Sequence, residues 1–238
     1  MPEPGNHHAR NALHEHRFTV LMIFLLSLFI VLPMFQRSPF ALVMFEATFS
    51  TIMVAAIYAN SHKRRHVIGG LILGLPALGG RWLPQYAHNP AFFVVITAFT
   101  IMFFIFSATL ILMQVARATQ ITADALSAAL CVYLLIGITW SGIYSLIYLF
   151  DPGSFAMPPM RPSEYLGIAP IRAEILRLLY FSFTTLTTMG YGDITPAAPA
   201  SRGLAVLEAI LGQFYVTVVV ARLVSLQIIH ATHTGSEK

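Results

Sequence analysis

Thr187-Thr188-Met189-Gly190-Tyr191-Gly192-Asp193 is the stretch on which the reading of this chain turns. Two glycines stand at alternate positions, 190 and 192, between residues that carry side chains. Glycine accepts backbone angles that a side chain makes costly. With glycine at every second position, successive backbone carbonyls can point to one side. Thr188 adds a hydroxyl acceptor one step deeper, and Asp193 closes the run with a carboxylate.

Outward from this run the chain is apolar. Of its 238 residues 57% are hydrophobic and only 10% are charged, and the mean hydropathy is +0.73. Such a composition marks the bilayer as the solvent. The net charge of +4 reflects basic loops at one membrane face. With no dense Lys/Arg patch interleaved with aromatics, no nucleic-acid partner is expected. The single cysteine, Cys131, lies in an apolar run and reads as buried filler. Apolar runs long enough to span fall at about 18–35, 41–60, 67–83, 91–116, 124–150 and 203–230. A signal peptide competes for the first run, but Pro33 and Gln36-Arg37 end it with no small-x-small cleavage site, so a retained helix is expected. The third run contains Pro76 and five glycines; Pro76 is expected to kink it, and a broken or re-entrant helix is the alternative there.

Basic residues set the orientation. His62-Lys63-Arg64-Arg65-His66, with Arg10, Arg17, Arg117 and Arg222, marks the inner side and places both termini in the cytoplasm; Arg81 is the exception on the outer side. Outer connections are expected at 36–40, 83–90 and 151–200. The last begins Asp151-Pro152-Gly153 and carries Pro158, Pro159, Pro162 and Pro170, which predicts an ordered, non-helical turret. Helical composition returns over 171–187, so a short helix dips back into the membrane before the quoted run climbs outward. Non-helical backbone at that depth is tolerated only where it lines a cavity.

The order of elements over about 124–230, together with the Thr-x-Gly-Tyr-Gly-Asp run, resembles the pore domain of the tetrameric potassium channels. The resemblance implies an all-α membrane protein of six transmembrane helices. A re-entrant pore helix and selectivity filter would lie between the fifth and sixth. Residues 1–17 would be a cytoplasmic tail, 18–123 a four-helix peripheral unit, 124–230 the pore domain and 231–238 a second cytoplasmic tail. It implies a multi-pass plasma (inner) membrane protein and a homotetramer, since four filters must surround one ion and a closed ring suits a pore on its axis. The expected permeant ligand is K+, held by the carbonyls of Thr188, Met189, Gly190 and Tyr191, with the Thr188 hydroxyl and Gly192 completing the filter. Dehydrating an ion costs on the order of tens of kcal/mol in a low-dielectric medium, and backbone carbonyls replace the lost water. Tyr191 would turn its ring away from the axis and brace the filter. Asp193 would sit at the outer mouth. Thr187 would end the pore helix, whose C-terminal dipole favours a cation in the cavity. Met189 stands where the family usually has a branched aliphatic, and Tyr180, Phe181 and Thr184 where many members have other partners, so Tyr180 becomes the candidate partner of Asp193.

Gly212 lies at the family's hinge position; a packing glycine is the other reading. Val216, Val220, Val224 and Ile228 follow at four-residue steps and share one helix face, the candidate pore lining. Glu208, one turn before Gly212, is an acid inside the membrane and hence paired or functional; Thr184 or Thr185 is its expected partner. Glu46 is a second such acid, expected to make a polar contact in the peripheral bundle. Arg222 is expected to snorkel to the inner interface.

The fourth run, about 91–116, has no Lys or Arg. One charge moved through 100 mV supplies about 2.3 kcal/mol, so little or no intrinsic voltage sensing is expected. A tail of about eight residues after His230 is too short for a ligand-binding regulatory domain. A separate regulatory subunit stays open, and the histidines His7, His8, His14 and His16 read as a solvated tail. The expected function is passive, K+-selective conduction. A less selective cation channel and a potassium-transporter subunit are the alternatives, and a membrane scaffold with a vestigial pore is a third. No metal-ligand cluster or nucleophile–base pair points to an enzyme, and no organic cofactor is expected.

Overall fold

A computed structural model describes residues 16–35, 40–83, 88–118, 122–159 and 170–235. The histidines His7, His8 and His14 and the turret residue Pro162 lie outside them. Among the described residues the architecture is helical: α1 (Arg17–Phe35), α2 (Ala41–Ala59), α3 (Arg64–Arg81), α4 (Pro90–Arg117), α5 (Ala123–Phe150), α6 (Pro170–Leu186) and α7 (Pro199–Gly235), with a two-stranded sheet of β1 (Phe155–Ala156) and β2 (Thr195–Pro196). Three stretches are long and apolar enough to cross a membrane: α4, α5 and Pro199–Arg222 of α7; Arg17–Val31 and Val43–Ala59 are shorter apolar stretches. At 1.5 Å per residue, the 28 residues of α4 and of α5 reach about 42 Å, more than the ~30 Å hydrocarbon core.

The helix starts follow from local chemistry. Asn89 accepts from the N–H groups of Ala91 (3.0 Å) and Phe92 (3.3 Å), and Pro90 opens α4, a strong N-terminal signal. Thr122 caps α5 by accepting from the Ala125 N–H at 3.1 Å. Asp124, in the first turn of α5, reaches across to accept from the Phe18 and Thr19 N–H groups of α1 at 3.1 and 3.2 Å. One carboxylate thus serves the positive ends of two helices.

From α1 to α6 consecutive helices alternate in direction, whereas α7 runs the same way as α6, with Ser182 and Leu186 meeting Glu208 and Gly212 in the same order. At one end Arg17 donates to Gln114 of α4 (2.6 Å), and Arg222 of α7 donates to the Ala118 carbonyl after α4 (3.0 Å). The basic tip of Arg222 is therefore spent on the α4–α5 connection. At the other end Trp82 donates to Ser50 at 3.1 Å. The peripheral core is carried by Leu21, Leu25 and Leu28 of α1, Phe49, Ile52 and Met53 of α2 and Phe103, Phe104 and Ile111 of α4, all buried.

The third run forms a single helix. α3 passes through Pro76 without interruption, so the broken form is not adopted, but α3 is not among the stretches long and apolar enough to cross a membrane. Its buried face is Gly70, Gly74, Ala77 and Gly80. A Cβ at position 80 would lie 2.2 Å from Ile96 of α4. That close approach supports the helix despite the hydrogen bond that proline removes.

Arg81, the exception to the charge rule, ends α3 facing inward. Its Nε donates to Glu46 Oε2 at 2.7 Å, with both side chains buried. The Phe49 ring lies 4.2 Å and the Phe45 ring 5.4 Å from the guanidinium carbon. The polar contact expected of Glu46 is thus an ion pair between α2 and α3, reinforced by cation–π contacts. Arg81 obeys its partner in place of the membrane side.

Candidate functional site

α6 enters the site. Its N-terminal half is held by Arg177, which pairs with Glu174 at 3.2 Å and donates to the Pro158 carbonyl of the turret at 2.6 Å. At its C-terminus the Thr187 N–H bonds to the Phe183 carbonyl (3.0 Å) and the Thr188 N–H to that of Thr185 (2.9 Å). The Thr184 carbonyl then accepts from both Met189 (2.8 Å) and Gly190 (3.1 Å). The N–H donors of the first part of the loop, through Gly190, are consumed by the end of α6.

The loop backbone alternates in hand. Thr188 has φ 57°, Gly190 55° and Gly192 80°, and among the described residues these are the positive-φ positions. Left-handed backbone at every second residue turns successive carbonyls to one side. A left-handed conformation costs an L-residue roughly 1–2 kcal/mol. Two of the three positions avoid that cost by being glycine. Thr188 does not; its hydroxyl donates to the Thr187 carbonyl at 2.7 Å and accepts from Gln213 of α7 at 3.4 Å.

The loop is braced from two sides. Tyr191 stacks on Tyr180, with ring centroids 6.4 Å apart and planes 5° from parallel. The Tyr180 hydroxyl interacts with the Asp193 carboxylate. Tyr180, Thr184 and Thr187 lie at four- and three-residue steps along one face of α6, and with Met189 and Tyr191 they line a groove of about 490 Å³. After the loop, Ile194 joins Tyr144, Phe155, Leu178 and Phe181 in a buried cluster. The rings of Tyr144, Phe155 and Phe181 meet edge-on at 5.1–5.5 Å, contacts worth about 0.5–1.5 kcal/mol each beyond their burial.

The sheet closes this region, and nothing in the sequence reading anticipated it. Phe155 pairs with Pro196 and Ala156 with Thr195. The Ser154 carbonyl accepts from the Ala197 N–H (2.8 Å) and the Ser201 hydroxyl (2.7 Å), while Asp151 holds the turn through Gly153 and Ser154. The available signal was Asp151-Pro152-Gly153, a turn sequence, but two-residue strands carry no periodicity to read.

Gly212 meets α6 directly. A Cβ there would lie 2.5 Å from the Leu186 carbonyl oxygen, which also accepts from the Tyr133 hydroxyl at 3.1 Å. Close packing is a sufficient reason for the glycine, and α7 runs through it unbroken. The helix also continues past 230 to Gly235, since no proline or glycine interrupts it after Gly212. Val216 and Val220 are exposed on α7. Val224 and Ile228 lie on the helix, but their side chains fall outside the described ones.

Glu208 does not meet Thr184 or Thr185. Its carboxyl is bonded to the hydroxyls of Ser182 (2.5 Å) and Tyr144 (2.6 Å). At 100° per residue, Thr184 sits about 200° round α6 from Ser182, on the groove face. Thr185, three residues from Ser182, lies about 60° from it on the same side of α6, but Ser182 is the residue that makes the bond. Ser182 and Tyr144 were not singled out in the sequence.

The ion-channel family model ("Ion channel") matches residues 167–227, which contain α6, the loop and most of α7. The chain is also 34% identical over 64 residues to "Two pore potassium channel c" of Oryza sativa subsp. japonica. That stretch is 27% of this chain and spans only 14% of the relative. No solved structure matches. In the segment built around the alternating loop this chain is similar to the ion-channel family model and to a stretch of a potassium channel.

Proposed function

We propose that the protein is a potassium-selective channel, a homotetramer of six-span subunits that conducts K+ passively across the plasma membrane with both termini in the cytoplasm. The observation that carries this reading is the left-handed backbone at Thr188, Gly190 and Gly192. It permits an unbroken row of carbonyls, from Thr188 through Tyr191, to face one axis, and such a row can substitute for the hydration of a desolvated monovalent cation. Gly192 and Asp193 form the outer mouth. Met189 supplies its carbonyl to the row and its side chain to the groove behind it.

Assembly is supported by the surface of α7. Val206, Leu207, Ile210, Leu211, Phe214 and Val218 are exposed on several sides of that helix, more than lipid contact on one side requires. Fourfold closure would place the filter face and Val216, Val220, Val224 and Ile228 on the axis, with Gly212 as the bending point. An apolar ring at that depth closes a pore by dewetting. α4 carries no Lys or Arg before Arg117, so the field has little purchase on it and the current is weakly dependent on voltage.

The test is reconstitution of the purified protein in vesicles with opposed K+ and Na+ gradients. The reversal potential is expected near the K+ equilibrium value. Equal permeability to the two ions would establish the less selective cation channel instead, and absence of flux would leave a scaffold.

A further inference from the structure

The unit formed by α5, α6 and α7 buries a carboxyl group with no cation bonded to it among the described residues. Glu208 is completely buried. Three oxygen–oxygen contacts converge there: Tyr144 Oη to Glu208 Oε2 at 2.6 Å, Ser182 Oγ to Glu208 Oε1 at 2.5 Å, and Ser182 Oγ to the Gly137 carbonyl at 2.7 Å. Contacts of this length are hydrogen bonds, and each needs a hydrogen between its two oxygens. The hydroxyls of Tyr144 and Ser182 bring one each. A backbone carbonyl brings none, and neither does a carboxylate. Two hydrogens do not fill three contacts, so the third must belong to Glu208.

We infer that Glu208 is held as the neutral carboxylic acid, and that in this form it is a positioning residue for the filter loop. The chain of donors runs one way. Tyr144 donates to Oε2, the acid donates from Oε1 to Ser182 Oγ, and Ser182 donates to the Gly137 carbonyl. Every polar atom has a partner and no net charge is buried, which is what a membrane interior demands. The chain joins α7 to α5 through Tyr144, α7 to α6 through Ser182, and α6 to α5 through the Gly137 carbonyl. These are the helices that set the loop: α6 runs into it, and α7 places Gly212 against the Leu186 carbonyl one turn after Glu208. The acid fixes the height of α6 against α7, and with it the height of Thr188.

The titratable groups that act on Glu208 are Tyr144 and Tyr133, both from α5. α6 presents Ser182, and the sheet and its turn contribute the apolar cluster around Tyr144. No cation figures among the described groups bonded to it. Removal of the proton would force Ser182 to turn its hydrogen to the carboxylate and leave the Gly137 carbonyl facing a bare oxygen. Alkaline conditions therefore loosen α6.

The positioning role rests on the reading of the loop as a filter; the protonation state does not. The experiment uses the full-length protein in vesicles, with infrared spectra in H2O and D2O and K+/Na+ flux on the same preparations. At neutral pH the wild type is expected to show the carbonyl band of a protonated carboxylic acid, shifted in D2O and missing in Glu208→Gln. Glu208→Gln, whose amide donates where the acid did, is expected to keep the K+/Na+ permeability ratio. Ser182→Ala is expected to lower it about tenfold, the effect of one buried polar partner left unmatched. Tyr144→Phe, which keeps the ring in its cluster, should shift it the same way by less. Absence of the band refutes the neutral acid. An unchanged ratio in both Ser182→Ala and Tyr144→Phe, or a Glu208→Gln ratio as low as theirs, refutes the positioning role. A wild type that does not discriminate K+ from Na+ defeats the filter reading, and with it the role, while the infrared result still decides the protonation.

Discussion

α5 and α7 are both apolar enough to cross a membrane, yet 61% of the apolar window of α5 is buried within the chain and only 11% of that of α7. α5 is covered by its own neighbours: α4 on one side, α1 on another and α6 on a third. α7 touches α6 and α5 along one strip, through Glu208, Gly212 and Tyr215, whose hydroxyl donates to the Ala129 carbonyl at 2.6 Å. Hydropathy alone does not distinguish the two helices. What differs is who removes them from lipid. α5 is covered within the chain, whereas most of the apolar surface of α7 is left uncovered by it, as the proposed assembly requires. Substitutions on the two sides should accordingly fail in different ways, one in folding and the other in assembly or conduction.

The sharpest contrast is expected at Gly190. Its φ is 55° and a Cβ there meets no neighbouring atom, so Gly190→Ala carries only the backbone cost, about 1–2 kcal/mol in each subunit. Repeated around a shared axis, it is expected to abolish K+ flux while leaving helix content unchanged and lowering the unfolding temperature by only a few degrees. Full flux in the variant would mean that the loop does not conduct. Next in size is the peripheral ion pair. Arg81→Ala leaves Glu46 buried without its cation, at a cost of about 3–5 kcal/mol, read as a fall in unfolding temperature in detergent. Replacing both partners by apolar residues, Glu46→Leu with Arg81→Met, is expected to recover most of it; no recovery would assign the pair a role beyond stability.

A matched pair of phenylalanines separates folding from assembly. Phe104 is fully buried and Phe214 is mostly exposed. Phe104→Ala is expected to cost about 3–5 kcal/mol in single-subunit stability. Phe214→Ala should leave that stability alone and shift the oligomer toward smaller species in crosslinking; equal effects on both readouts would erase the contrast. Tyr180→Phe removes the hydroxyl that reaches Asp193 and keeps the stack on Tyr191. The loss of about 1 kcal/mol is expected to change the decay of current under sustained conduction and to spare selectivity. The smallest signal is at α4, where no gating charge movement should accompany a voltage step. A steep voltage dependence would show that the field acts elsewhere, at the filter itself.

The two buried acids show how far sequence reading extends. Both Glu46 and Glu208 stand out as carboxyl groups in apolar runs, so their need for partners was legible. Their partners were not. Arg81, noted only as a charge on the wrong side, is the partner of Glu46 from another helix. Ser182, with nothing to mark it, displaced the threonines expected for Glu208. A one-residue change of position rotates a helix face by about 100°. Among the described residues each apolar run falls on a helix, because such runs and caps such as Asn89 are local signals, but the last helix extends four residues before and five beyond its run. The short sheet was missed because its stability comes from the Ser154 carbonyl and the Phe155 ring, contacts made far along the chain.

What the amino-acid order determined unaided was the run at 187–193, whose glycine spacing dictates backbone hand wherever it is placed, and the apolar stretches around it. These are local properties, since steric freedom belongs to the residue type and transfer to lipid to the segment. Only the folded arrangement decided which helix faces meet, and so which hydroxyls surround Glu208, what neutralises Arg81 and why position 212 tolerates no side chain. Those outcomes depend on the rotation and depth of packed helices, which neighbours set and no single segment encodes.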